Sequence, residues 1–212
     1  MFCDLIRGSL TGWNGIGAFS VLGMVAWYYM LCLRTSYISL QTSNPVLCNW
    51  MCLGGCSEST VPRVEATNDS LGHRFSVGVG LALSAKIQRL DSRVYMIVGD
   101  GELGEGSNWE ASMCASKHKL SNLTVIVDDN KVQCSGPTHQ VSNFGSLAEK
   151  FASFGFLVQE VDGHDLNALK RVFQGVPYYA GRPSAVICHT VMSKGLPYAE
   201  NDAEWHWKNN LD

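Results

Sequence analysis

Two polar clusters each close an apolar run: Gly99-Asp100-Gly101 follows Val94 to Val98, and Asp128-Asp129-Asn130 follows Leu123 to Val127. Asp100 offers a hard carboxylate oxygen and Asn130 an amide oxygen, the donor types that Mg2+ or Ca2+ prefers. Two such ligands are too few for an all-protein cage, so the remaining positions fall to a backbone carbonyl and a diphosphate. Gly99 and Gly101 allow a tight turn and a close approach to phosphate, and a helix opening near Asn108 directs its free N–H groups to the same place. Taken alone, a Gly-Asp-Gly is more often a turn in which Asp caps its own backbone. The second polar cluster, one strand-helix-strand unit further on and in the same position after its strand, is what raises this one above a generic loop.

The clusters meet only if the two apolar runs are neighbours in a parallel sheet, about 4.8 Å apart. Asp100 and Asn130 then emerge side by side at the carboxyl edge, where open α/β sheets bind ligands. The rest of the chain supports that arrangement, because from Ser70 onward helical and strand-like patterns alternate. Helices are expected at Phe75 to Leu90, Asn108 to Lys119, Leu147 to Phe154 and Leu166 to Gln174. Strands are expected at Val94 to Val98, Leu123 to Val127, Leu157 to Val161 and Ser184 to Thr190. Continuous apolar runs such as Val94 to Val98 suit strands covered on both faces, so the fold class is α/β, a parallel sheet with helices on both faces. Gly78, Gly80, Ala82 and Ala85 make the first helix rich in small residues and fit for close packing.

A length of 212 residues, 46% hydrophobic and 17% charged with a net charge of -3, fits one α/β domain plus a short extension. No basic face invites nucleic acid. Eight cysteines lack the spacing of a secreted disulfide framework, and Cys114, Cys134 and Cys188 fall in apolar or strand-like stretches, which reads as reduced thiols in a cytoplasmic protein. Cys48, Cys52 and Cys56 recur every four residues without a fourth ligand of zinc type. The only charged residues before Glu58 are Asp4, Arg7 and Arg34. The chain therefore divides into a charge-poor segment, 1–56, and an α/β domain, 57–212. The uncharged run Gly8 to Leu33 is long enough to span a bilayer. Its glycines and its single flanking arginines equally fit a buried segment, the reading that leaves a membrane out.

Further landmarks are more specific than the metal pair. SLGH (Ser70 to His73), GDGELGEGSNWEA (Gly99 to Ala111), HKLSNLTVIVDDNKVQ (His118 to Gln133), VDGHD (Val161 to Asp165) and ENDAEWHWK (Glu200 to Lys208) follow one another. In that order they resemble the transketolase family over residues 57–208. The arrangement is similar to the separately encoded amino-terminal subunit of split transketolases. 1-Deoxyxylulose-5-phosphate synthase shares the metal motif, but ENDAEWH sides with transketolase. The resemblance implies a thiamine-diphosphate-binding (PP-type) fold in which Asp100, Asn130 and the Val132 carbonyl hold Mg2+, or Ca2+. It places Gly99, Gly101, Leu71 and His73 with the cofactor, Glu105 in an acidic relay between two cofactor sites of a dimer, and His206 against diphosphate or substrate. It further implies a transferase of carbohydrate metabolism that moves a two-carbon ketol unit between sugar phosphates. The glutamate that activates the aminopyrimidine ring lies on a separate domain in this family, so a partner is implied, the carboxy-terminal, pyrimidine-binding transketolase subunit, in a homo- or hetero-oligomer.

Each role has a plainer rival. Glu105 equally reads as a solvated carboxylate favoured by a helix dipole. His206, between Trp205 and Trp207, equally packs at a surface edge, and His73 opens a helix. His164 and Asp165 begin another helix, with Asp165 as its cap. The sequence also departs from the family's pattern: Met24 and Cys56 stand where it carries histidines, Asp69 and Arg74 where it carries glycines, and Asp129 where it carries a tyrosine. Arg74 places bulk where a helix begins. Loss of histidines that contact substrate oxygens weakens turnover, and this leaves a second reading, a catalytically impaired remnant that keeps only its dimerisation surfaces.

Overall fold

The structure, a computed structural model, describes residues 70–206. The amino-terminal segment 1–56, with the Gly8 to Leu33 run and the departures at Met24 and Cys56, lies outside the described residues, as do Asp69 and Trp207. Four parallel strands form the sheet: β1 (Val94–Gly99), β2 (Leu123–Asp129), β5 (Leu157–Asp162) and β6 (Ser184–His189), in the spatial order β1-β2-β6-β5. The helices are α1 (His73–Ile87), α2 (Gly106–Lys117), α3 (Thr138–Val141), α4 (Leu147–Ser153) and α5 (Leu166–Gly175). A two-residue hairpin, β3 (Val132–Gln133) with β4 (Gly136–Pro137), and 3-10 turns at Glu102–Gly104 and Ala203–His206 complete the described elements.

Period-two alternation decides which side of the sheet each residue serves. Val94, Met96 and Val98 of β1, with Leu123, Val125 and Val127 of β2, join the cluster that holds Phe75, Leu103, Phe151 and Phe156. Tyr95 and Ile97, with Ile126, Val186 and Cys188, join Leu169 and Phe173 of α5 in a second cluster. Helices therefore cover both faces, which is why β1 reads as an unbroken apolar run, whereas edge strand β5 exposes Gln159 and Glu160. Gly78 lets α1 lie close to the sheet, since a Cβ there would stand 2.6 Å from Met96 Cγ. Gly80 differs from the expectation for it: it faces outward, and a Cβ there would meet nothing within 4 Å.

The elements depart from the sequence reading mainly at their ends. α2 begins at Gly106 and not near Asn108, because Glu105 adopts an extended conformation and serves as the N-cap residue. Asp165 caps α5, its Oδ1 accepting from the backbone N–H groups of Asn167 and Ala168. Cys114, Cys134 and Cys188 are thiols and form no disulfide. Among the described residues no helix is long and apolar enough to cross a membrane.

Candidate functional site

Register fixes the site. Gly99 lies opposite Asp128, and the Asp100 N–H donates to the Asp128 carbonyl at 3.1 Å, so the chain carries Asp100 and Asn130 off two adjacent strands at the same carboxyl edge. Asp100 is buried at 2% exposure. Its Oδ1 accepts from the Gly101 N–H at 2.8 Å and its Oδ2 from Thr138 Oγ1 at 2.6 Å. Burial pushes its pKa up to about 6, against the pull of those two hydrogen bonds and with a push from Asp129 and Asp128. A carboxylate so placed is short of positive charge, and a divalent cation would supply it.

Asn130 is buried and its amide is oriented from both ends. Nδ2 donates to Asp128 Oδ2 at 3.3 Å, and Oδ1 accepts from the Val132 N–H at 2.9 Å. Asp128 is in turn held by the Thr190 hydroxyl, and burial raises its pKa. Lys131, at φ 66, turns the chain between Asn130 and Val132. The Lys131 carbonyl accepts from the Thr138 N–H at 2.8 Å, so Thr138 joins the Asn130 loop to Asp100 through its backbone and its side chain. Among the described residues no group of three His, Cys, Asp or Glu is placed to hold a metal. An ion here needs amide and carbonyl oxygens and oxygens of a bound ligand.

The hairpin after Asn130 brings further groups to the edge. A Cβ on Gly101 would stand 3.2 Å from Gln133 Cγ, and Gln133 Nε2 is buried without a hydrogen-bond partner. That amide is a spare donor beside the glycine expected next to a diphosphate. The sequence reading does not single it out, although Gln133 closes one of the landmarks quoted. Cys134 Sγ lies 3.4 Å from His206 Nδ1, which docks the Ala203–His206 turn on the same hairpin. His206 is half-buried, and burial lowers its pKa, so the imidazole is neutral near pH 7.

The SLGH landmark comes to the other side of the Gly101 turn. Gly72, at φ 79, donates its N–H to Glu102 Oε1 at 3.1 Å and accepts at its carbonyl from Ser107 Oγ at 2.9 Å. A Cβ on Gly72 would stand 2.7 Å from Glu105 Cβ, so only glycine fits. Leu71 is exposed beside it, and His73 is exposed with Nδ1 3.3 Å from the Leu71 carbonyl. Glu105 is exposed, and its side chain makes no capping bond to α2. Asp129, where the family pattern has tyrosine, is buried between Lys131 and His189, whose Nδ1 lies 3.0 Å away; His189 Nε2 lies 2.8 Å from Glu160 Oε2.

Comparison with known proteins bears on the family and the fold. The family model "Transketolase, thiamine diphosphate binding domain" matches residues 49–209. An apulose-4-phosphate transketolase subunit of Phocaeicola vulgatus is 40% identical over 154 residues, 73% of this chain and 55% of that one. The 6-deoxy-6-sulfo-D-fructose transketolase subunit SqwG of a Clostridium species is 33% identical over 151 residues, 71% of this chain and 55% of that one. The transketolase structure from Campylobacter jejuni superposes with a TM-score of 0.79 at 25% identity, covering 90% of this chain and 31% of that one. The chain thus spans about half the length of the first two relatives. The matched segment contains every described site residue, and on that ground the chain belongs to the transketolase family through its thiamine-diphosphate-binding domain.

Proposed function

We propose that this chain is the cofactor-binding subunit of a cytoplasmic ketol transferase acting on sugar phosphates, completed by a pyrimidine-binding partner. The observation that carries the reading is the Asp100 carboxylate, buried and with its pKa raised to about 6, at the edge it shares with Asn130. The residues present fit thiamine diphosphate with Mg2+ or Ca2+: hard oxygen donors lie on one loop pair, Gly101 leaves room for close approach, and Gln133 Nε2 is an unspent donor. Asp100, Asn130 and the Val132 carbonyl would hold the ion. Gly99, Gly101 and Gln133 would meet the diphosphate, and Leu71 would line the cofactor's side, with His73 behind it.

Thiamine diphosphate, when bound, supplies the carbanion chemistry by which a two-carbon unit is carried between sugars. The chain's own residues bind and orient. Thr138 holds Asp100 in place, and Asp128 with Thr190 fixes the face that the Asn130 amide presents. The neutral His206 imidazole, held against Cys134 on the hairpin beside the site, suits a contact to substrate or diphosphate oxygen. Glu105 is exposed and uncommitted, and so is available to a relay that crosses to a neighbouring protomer. The relatives named as transketolase subunits support a partner for this chain as well.

The test is a titration of thiamine diphosphate into the chain mixed with the pyrimidine-domain subunit of a two-subunit transketolase, with and without Mg2+. Binding should require Mg2+ and be lost in Asp100→Ala; undiminished binding in that variant refutes the proposal. The impaired-remnant reading is favoured by Met24, Cys56 and Asp69 in the sequence. It predicts no turnover until Met24→His, Cys56→His and Asp69→Gly are combined, and turnover by the unaltered chain removes it.

A further inference from the structure

The bulk expected of Arg74 at the start of α1 does not point outward. Arg74 is 2% exposed and Glu102 is 3% exposed, and their side chains face each other, with Nη1 4.0 Å from Oε2. That distance is a charge contact and not a hydrogen bond, and Glu102 Oε2 has no hydrogen-bond partner. The other oxygen, Oε1, accepts the Gly72 N–H. The backbone of Glu102 is tied as well, since its carbonyl accepts from Asn108 Nδ2 at 2.6 Å. Glu102 follows Gly101 directly, and the next residue, Leu103, donates its N–H to the Asp100 carbonyl. One carboxylate thus spans the Leu71-Gly72 turn on one side and the metal-ligand loop on the other, with Arg74 behind it.

We propose that Arg74 and Glu102 are a buried positioning pair that sets the SLGH turn against the Asp100-Gly101 loop and so fixes the shape of the cofactor site. The inference rests on the proposed function and concerns residues to which that reading gives no role. Removing one member of a buried ion pair leaves an uncompensated charge, whereas replacing both with groups of similar volume is often nearly neutral. The pair is therefore recognised by its coupling.

The experiment measures thiamine diphosphate affinity at saturating Mg2+ for the full chain with a pyrimidine-domain subunit, alongside the melting temperature of the cofactor-free chain. The variants are Arg74→Met, which keeps most of the volume, Glu102→Gln, their combination, and Arg74→Lys as the conservative replacement. Each single neutral variant should weaken cofactor binding roughly tenfold or more, with the combination recovering to within about threefold of the unaltered chain. Arg74→Lys should stay within about threefold, since it keeps the charge. Single losses that simply multiply in the combination overturn the proposal, as do lowered melting temperatures with unchanged cofactor affinity. If Arg74→Met does not fold, Glu102→Gln is compared with and without Arg74→Leu under the same criterion. An unaltered chain that fails to bind cofactor defeats the proposed function and this inference together; binding without coupling defeats only the inference.

Discussion

Replacing Gly72 by alanine should damage both the stability of the domain and its cofactor site. Gly72 sits at φ 79, a left-handed conformation that costs an L-residue about 1–2 kcal/mol. The added methyl would also stand 2.7 Å from Glu105 Cβ and press on the Ser107 side chain. Relief requires the helix start at Gly106 or the Gly72 turn to move, an overpacking cost of about 1–3 kcal/mol. Together these give about 2–5 kcal/mol, or a fall in melting temperature of about 4–20 °C for a chain of this size. Gly80→Ala on the same helix is the control. Its φ is not in the left-handed region and its methyl would meet nothing, so the lower backbone entropy of alanine should stabilise by about 0.5–1 kcal/mol. Thermal unfolding of the two variants beside the unaltered chain decides the matter. A Gly72→Ala melting point within a degree or so of the original would refute the close approach on which the SLGH turn depends.

Gln133→Leu should weaken thiamine diphosphate binding by about 10- to 100-fold, the worth of one hydrogen bond to a charged group, while leaving the cofactor-free chain as stable or more so, because a buried unpartnered amide is removed. Calorimetric titration and melting curves read the two effects separately, and equal affinity in the variant discards Gln133 as a diphosphate donor. The pH dependence of the metal-free chain offers another check. Asp100 is raised from 3.8 to about 6, so the folded state keeps its proton after the unfolded chain has lost it. This contribution is intact below about pH 4 and is lost as pH rises through 6, by about 3 kcal/mol in all. Asp100→Asn should therefore gain most stability relative to the unaltered chain at pH 7.5 and little at about pH 4. Parallel pH profiles for the two proteins would show that Asp100 is not short of positive charge.

Much of the architecture was legible in the primary structure because strand burial on two faces leaves a plain trace. Val94 to Val98 is apolar throughout and Leu123 to Val127 is apolar but for Thr124, and such runs between helical periods specify a covered parallel sheet. The cap at Asp165 was legible for a similar reason, since a local hydrogen bond needs only its neighbours. Gly80 misled, because a glycine in a helix looks the same whether a strand lies above it or water does.

The sequence alone determined the donor chemistry: one carboxylate and one amide at matching places after two strands, and enough ordered landmarks to point to the family. Only the tertiary structure decided how those donors are held. Thr138 meets Asp100 across 38 residues, Thr190 meets Asp128 across 62, and Glu102 meets Gly72 across 30. Folding likewise turned Arg74, a residue that reads as an intrusion, into the buried counter-charge of Glu102. The division has one physical cause. Backbone periodicity and local capping act over a few residues and leave a pattern along the chain, whereas the environment of a buried charge is set by whichever distant side chains the packing brings beside it.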